Sequence, residues 1–361
     1  MDQPRRNEIW ILGATGRIGR SVAQQLNEGS TPVVLVGRSK DRLASVMEST
    51  GASRMIIASS APEMVEAIRR DRPHVVVNLL GDYAETAPSI ARACMPNGHY
   101  VDLANDLAAM SALLDLGDEA IKHKSTIITG AGFGVLATEA IVIALCADKR
   151  TPRRVRVDAL PSFASEDGVT GQAFATTAVD VITSGGRRYV DGKLVPVRLA
   201  SNVTHHALPD GSTATSAVVP SGELLAARLV SNAPFIDFTS SFAPTSLAIR
   251  MLLPLMSSVL AFAPMRRMMI RQMSARKTKA APRPLPHSWG HAVIEWSDGT
   301  RSEGWLRADD AMEYSTNALA IVATALARDE APSGAFTPAA ALGIAIAERA
   351  GGQLLLDPPL S

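Results

Sequence analysis

IWILGATGRIGRSVAQQL, residues 9–26, decides the fold. Ile9-Trp10-Ile11-Leu12 is a short, uniformly apolar run and reads as a buried strand. Gly13-Ala14-Thr15-Gly16-Arg17-Ile18-Gly19 is a glycine-rich turn, after which Ile18, Val22 and Leu26 recur at the four-residue spacing of one helix face. Strand, glycine loop and helix together open a dinucleotide-binding βαβ unit. The first glycine permits the tight turn, the second lets backbone N–H groups approach a pyrophosphate, and the third lets helix pack closely on strand. The helix N-terminus adds partial positive charge beneath the phosphates.

Working outward, the alternation repeats. Apolar runs at 33–36, 55–58, 74–80, 100–103 and 126–129 are separated by stretches of helical spacing. Strands apolar on both faces need helices on both sides, so the pattern predicts an α/β, Rossmann-type doubly wound parallel sheet. From residue 151 the texture changes. Runs at 155–160, 189–199 and 292–305 look like strands joined by Asp-Gly turns and predict a second, α+β domain built on an antiparallel sheet. Helices return at 309–328 and 337–350. The expected division is 1–130 for the NADP-binding Rossmann domain, 131–308 for a substrate or dimerisation domain, and 309–361 for helices packing back on the first.

Composition sets the bounds. The 361 residues are 47% apolar and 20% charged, ordinary globular usage, which excludes wholesale disorder and fibrous repeats. A formal net charge of +1 argues against a surface built for nucleic acid. The two cysteines, Cys94 and Cys146, have no CxxC or His-rich spacing, so neither a disulfide framework nor a metal site is expected. The first apolar run is too short for a signal peptide core, and a cytoplasmic location follows as the expectation.

The end of the second strand carries the cofactor preference. An NAD site places Asp or Glu there to accept from the ribose 2′-hydroxyl. This chain has Gly37-Arg38-Ser39-Lys40-Asp41-Arg42 instead, and Arg38 with Ser39 can donate to a 2′-phosphate. Arg42, one helical turn on, and Arg17 in the glycine loop are further candidates. The expected cofactor is NADP(H).

HVVVNLLGDY (74–83) and ACMPNGHYVDLANDL (93–107) resemble the saccharopine dehydrogenase-like reductases, in which one strand ends in Asn-x-x-Gly and a later one reads Gly-x-His-Tyr-x-Asp. EYSTNALAIVATAL (313–326) and GAFTPAAALGIAIAERAG (334–351) resemble bacterial members, including trans-acting enoyl reductase-like proteins. The resemblance implies an NAD(P)-dependent oxidoreductase and a homodimer. Two positions depart from the family's usual pattern: Gly81-Asp82-Tyr83 stands where Gly-Pro-Phe or Gly-Pro-Tyr is common, and Asp102 is followed by Leu103-Ala104 in place of Gly-Glu.

In an open α/β sheet ligands bind outside the carboxyl ends of the strands. There, Asn78, Leu80, Gly81 and Asp82 are expected to contact the cofactor, Gly81 by leaving room for the nicotinamide and Asp82 by bonding either its ribose or a nearby backbone amide. Tyr83 and Asp102 are the candidate catalytic residues, Tyr83 as proton donor or stacking platform and Asp102 as acid/base, although its place inside the strand motif also suits hydrogen bonding to backbone or a neighbouring helix. His99 precedes its strand and reads as structural. Tyr189-Val190-Asp191-Gly192-Lys193 matches a YxxxK pair, but that chemistry needs a helix and Asp-Gly signals a hairpin. His205-His206, ahead of Pro209-Asp210-Gly211, reads as a surface pair.

Residues 238–294 hold eight Lys or Arg and no acid. Their apolar piece is too short to span a bilayer. A peripheral membrane contact through 249–283, a site for a lipid-like or carrier-bound small-molecule substrate, and a flap over the substrate all stay open. The functional expectation is an NADPH-dependent reductase acting on a C=C or C=N bond of an acyl, polyketide-like or lipid-like substrate. The alternatives are a saccharopine-type dehydrogenase acting on an amino-acid-derived imine, whose carboxylates would draw arginines such as Arg153, Arg154 and Arg156, and a non-catalytic NADP-binding scaffold or sensor.

Overall fold

The computed structural model describes residues 6–29, 31–148 and 150–357 and divides into two compact units. The first comprises the chain through Gly132 together with Met312–Ala350, and the second Phe133–Ala311 with the residues from Gly351 onward.

In the first unit the expected alternation forms β1 (Arg6–Leu12), α1 (Arg17–Asn27), β2 (Val33–Gly37), α2 (Lys40–Thr50), β3 (Arg54–Ile57), α3 (Ala61–Asp71), β4 (Pro73–Asn78), α4 (Tyr83–Cys94), β5 (His99–Asp102), α5 (Leu107–Leu114), α6 (Gly117–Lys122) and β6 (Thr126–Ile128). Helix boundaries follow local chemistry. Ser39 caps α2 by accepting from Arg42 N–H, and Gly51 closes its end in the left-handed conformation. At α3, Ser60 accepts from Glu63 N–H while the Glu63 carboxylate accepts from Ser59 N–H at 2.8 Å, a reciprocal cap ahead of an amphipathic run.

The strands pair in parallel in the order β3-β2-β1-β4-β5-β6, with Ile9 beside both Val33 and Val75. The order reverses at β1, and the glycine loop leaves its carboxyl end at that switch point. A seventh strand, Gly334–Phe336, adds to β6 in parallel, with Ala335 beside Ile127. Val33–Val36 and Val75–Val77 are fully enclosed, as strands covered on both faces must be. β3 is the edge strand, and its Ile57 is exposed.

The second unit opens with the helix Phe133–Leu145, apolar all round and buried almost throughout, the signature of a core helix. Its nine-stranded sheet is antiparallel apart from one pair, Arg154–Leu160 with Phe235–Ser240. The expected antiparallel sheet thus includes one parallel pair, whose strands are joined through a long excursion, and a connection of that length permits a parallel return. Strands Gly186–Val190 and Lys193–Val197 form a hairpin across Asp191-Gly192, both of which have positive φ. The last strand of the chain, Gln353–Asp357, pairs with Arg301–Ala308 in this sheet.

Among the described residues no single helix is long and apolar enough to cross a membrane.

Candidate functional site: a dinucleotide cradle

At the carboxyl end of β1 the Gly13 N–H donates to Val36 O, and the Gly16 N–H returns to Gly13 O at 3.0 Å. Gly13 has φ +78°, and a Cβ there would meet Leu79 O at 2.7 Å. A Cβ on Gly19 would meet Gly13 O at 2.6 Å, so the first turn of α1 lies directly on the loop. Gly16 is exposed and its Cβ position approaches only Gly13 O, at 3.4 Å. Two glycines therefore bring backbone together and the third keeps the outer surface of the turn open, the shape a pyrophosphate needs. Ala14 is buried, whereas Thr15, Arg17 and Ile18 are half-buried around the turn. Arg20, which the motif does not single out, clamps the loop from outside by donating to Thr15 O at 3.1 Å.

No carboxylate stands at the end of β2. Arg38 and Arg42 are exposed, and Ser39 lies between them as the cap of α2. A hydroxyl that accepts from a backbone N–H keeps its own proton to donate, so capping leaves Ser39 able to serve a phosphate.

The residues after β4 divide into two groups. Gly81 is buried with φ +71°, and Asp82 is exposed with φ +51° at the start of α4. Leu80 packs against the apolar core. Asn78, in contrast, is fully buried. Its side-chain N–H donates to Tyr100 Oη at 2.9 Å and its oxygen accepts from Leu80 N–H at 3.2 Å. Both ends of the amide are thus engaged within the protein, so Asn78 positions the loop instead of contacting the cofactor as expected.

Of the two readings of Asp102, the structure favours the bonded one over the acid/base. It has no exposed surface and accepts from Tyr100 Oη at 2.8 Å, Thr129 Oγ1 at 2.9 Å, and the N–H groups of Ala104 and Gly130 at 3.1 Å each. Burial pushes its carboxyl up to about 6 even though these four donors favour the anion. A carboxylate with both oxygens occupied ties the ends of β5 and β6 together and is closed to substrate as an acid/base. Tyr83, at the first position of α4, is half-buried with its hydroxyl 3.4 Å from Asn78 O. Burial and the neighbouring Asp102 push its ionisation well above the usual phenol range, so at neutral pH it is a hydroxyl able to donate.

The second unit holds two polar clusters. Arg154, Arg156, Arg188 and Arg301 line a cavity of about 400 Å³. Arg154 and Arg188 share Asp237, Arg156 grips Asp158 and Arg301 meets Glu295. The Arg188 Nε–H is buried without an acceptor among the described residues. Beside this cavity His206 is buried, contrary to its reading as a surface residue. It bonds Ser216 at 2.7 Å, and the chain of contacts runs through Thr239 to Asp158. Asp158 bonds His291 Nδ1 at 2.8 Å, and Glu303 faces His291 Nε2 at 3.0 Å. Burial acts to raise the Asp158 carboxyl, but His291 and Arg156 overcome it and hold it down at about 2. A carboxylate therefore faces each nitrogen of the His291 ring. His99, in the first unit, accepts from Thr126 N–H and donates to Asp329 at 2.9 Å, a structural role as read from the sequence. Tyr189 and Lys193 lie on opposite arms of the hairpin, not on a helix face.

Residues 9–128 match the model of the saccharopine dehydrogenase NADP binding domain. No curated protein sequence matches the chain. Among solved structures, the fold is similar to that of the L-Glu-forming saccharopine dehydrogenase from Saccharomyces cerevisiae, with a TM-score of 0.60 at 11% identity over 97% of this chain and 99% of that one. A probable dehydrogenase from Thermotoga maritima matches at a TM-score of 0.48 and 10% identity over 95% of this chain and 93% of that one. Serine dehydrogenase from Escherichia coli matches at 0.28 and 14% over 34% of this chain and 80% of that one. The glycine cradle thus lies within the segment that is similar to the NADP binding domain of saccharopine dehydrogenase.

Proposed function

We propose that the protein is an NADPH-dependent reductase acting on a C=C or C=N bond of an acyl, polyketide-like or lipid-like substrate. The observation that carries the reading is the pairing of a tight glycine cradle with a β2 end that bears Arg38 and Ser39 and no carboxylate. NADPH, when bound, supplies hydride. Gly13 and Gly19 set the tight turn, Gly16 leaves room for the pyrophosphate, α1 directs its N-terminal dipole at it, and Arg38 with Ser39 meets the 2′-phosphate. Gly81 keeps the space after β4 free of side chain, and Asp82 lies at its rim. Tyr83 keeps its proton at neutral pH and is the candidate to deliver it once the substrate gains hydride. Positioning does most of the work. The apolar helix Leu247–Leu260, with Leu247, Met251, Leu252 and Leu255 exposed, supports an acyl-bearing substrate.

A second reading, reduction of an amino-acid-derived imine, is favoured by the four arginines around the cavity in the second unit, because such a substrate carries carboxylates. Loss of NADPH absorbance with enoyl-thioester and with imine substrates separates the two. Turnover of an enoyl substrate supports the first reading, and turnover of imines alone replaces it with the second. NADPH binding without turnover of either class overturns both.

A further inference from the structure

The excursion between the strands Phe235–Ser240 and Ser288–Glu295 leaves an unusual surface. Its two helices, Leu247–Leu260 and Ala263–Ser274, meet at a bend of 117°. They pack on the helix Gln172–Ser184, where Arg266 pairs with Asp180 at 2.5 Å. The base of the arm is fastened by Lys277–Thr278 pairing with Gly168–Val169 and by a bridge between Ser165 and Ala281.

Leu253 and Leu260, seven residues apart, face inward and are buried. The opposite face ought to be polar if it met only water. It is not: Leu247, Met251, Leu255, Val259 and Phe262 follow one another at intervals of four or three residues, with exposures of 67, 61, 64, 42 and 67%. A contiguous apolar stripe of this kind marks an interaction surface.

Charge identifies the partner. Residues 238–294 carry eight Lys or Arg and no Asp or Glu. Arg267, Arg271, Arg276, Lys277 and Lys279 are exposed beside the stripe. A twofold contact between copies of the chain would set two acid-free segments against each other, with like charges opposed. An anionic lipid surface answers both features, taking the stripe into the headgroup boundary and the bases among its phosphates. Fourteen and twelve residues joined at a sharp bend are too short to span a bilayer and suit a helix pair lying flat on it.

We infer that the arm Leu247–Lys279 seats the protein on an anionic membrane surface, without crossing it. The experiment is cosedimentation of the full chain with phosphatidylcholine vesicles, with and without phosphatidylglycerol, at low and high salt. The expected result is binding to the anionic vesicles that weakens as salt rises. Each basic residue near an anionic surface multiplies partitioning about fivefold, so a triple Arg267→Gln, Arg271→Gln, Arg276→Gln variant should partition about 100-fold more weakly. Met251→Ser with Leu255→Ser should also release the protein, while NADPH affinity stays at the wild-type value in both variants and reports an intact fold. Absence of binding, or equal binding to neutral vesicles, overturns the inference. A dimer that Leu255→Ser dissociates, without vesicle binding, reassigns the stripe to self-association and overturns it equally.

Discussion

The Tyr100 hydroxyl donates to the Asp102 carboxylate at 2.8 Å and accepts from the Asn78 amide at 2.9 Å, linking the carboxyl ends of β4 and β5 beside the cradle. Thr129 and Gly130 extend the link to the end of β6. Removing the hydroxyl strands a buried amide and leaves a buried carboxylate one donor short. Tyr100→Phe is therefore expected to cost about 1–3 kcal/mol in urea denaturation. Tyr83→Phe removes a hydroxyl whose bond to Asn78 O is long, at 3.4 Å, and should cost less than about 1 kcal/mol. Equal losses would contradict the assignment of Tyr100 as the structural member of the pair.

Arg38→Ala tests the cofactor preference. A charge-assisted hydrogen bond is worth about 1.5–3 kcal/mol, so NADPH affinity should fall at least about tenfold. NADH affinity should be unchanged, since NADH has no 2′-phosphate. Parallel losses for both cofactors would show that Arg38 acts elsewhere.

Buried carboxyls give stability a pH dependence with a defined sign. Burial pushes Asp102 and Glu223 up to about 6, above their ordinary range near 4. Between about pH 4 and pH 6 the unfolded chain gives up these protons first, so their contribution to stability is lost as pH rises through that window. Asp158, held at about 2, works oppositely: its contribution is present above about pH 4 and lost on acidification below it. Glu223→Gln removes one titrating group, and the stability difference between about pH 4 and pH 7 should shrink by about 2 kcal/mol. An unchanged pH profile of urea midpoints would count against a buried, protonatable Glu223.

Tyr189→Phe should leave turnover unaltered. Tyr189 pairs with Leu194 across the Asp191-Gly192 turn, and its YxxxK spacing has no helix to turn it into a catalytic pair. A loss of kcat with an unchanged urea midpoint would contradict this.

The parts of the molecule that were readable from sequence are those written locally. The glycine loop, the six parallel strands and the Asp-Gly hairpins each declare themselves within a few residues. The Asn78–Tyr100–Asp102–Thr129 network does not, because its members meet only once β4, β5 and β6 lie side by side. The bonded and the acid/base readings of Asp102 both stay open in the sequence for that reason. Thr204-His205-His206-Ala207 is a polar string that reads as surface, yet the four residues form a strand that turns His206 inward and His205 outward. The seventh strand of the parallel sheet is three residues long, too brief for any period to show. Arg154 and Arg156, two apart on one strand, share a face, but Arg188 and Arg301 join them only through the sheet.

Calorimetric titration of the purified protein with NADPH and, separately, with NADH tests the central claim most directly. The glycine cradle and the Arg38–Ser39 clamp predict NADPH binding about 100-fold tighter than NADH, from two contacts of about 1.5 kcal/mol each. Equal affinities would contradict the clamp, and failure to bind either cofactor would contradict the oxidoreductase account as a whole.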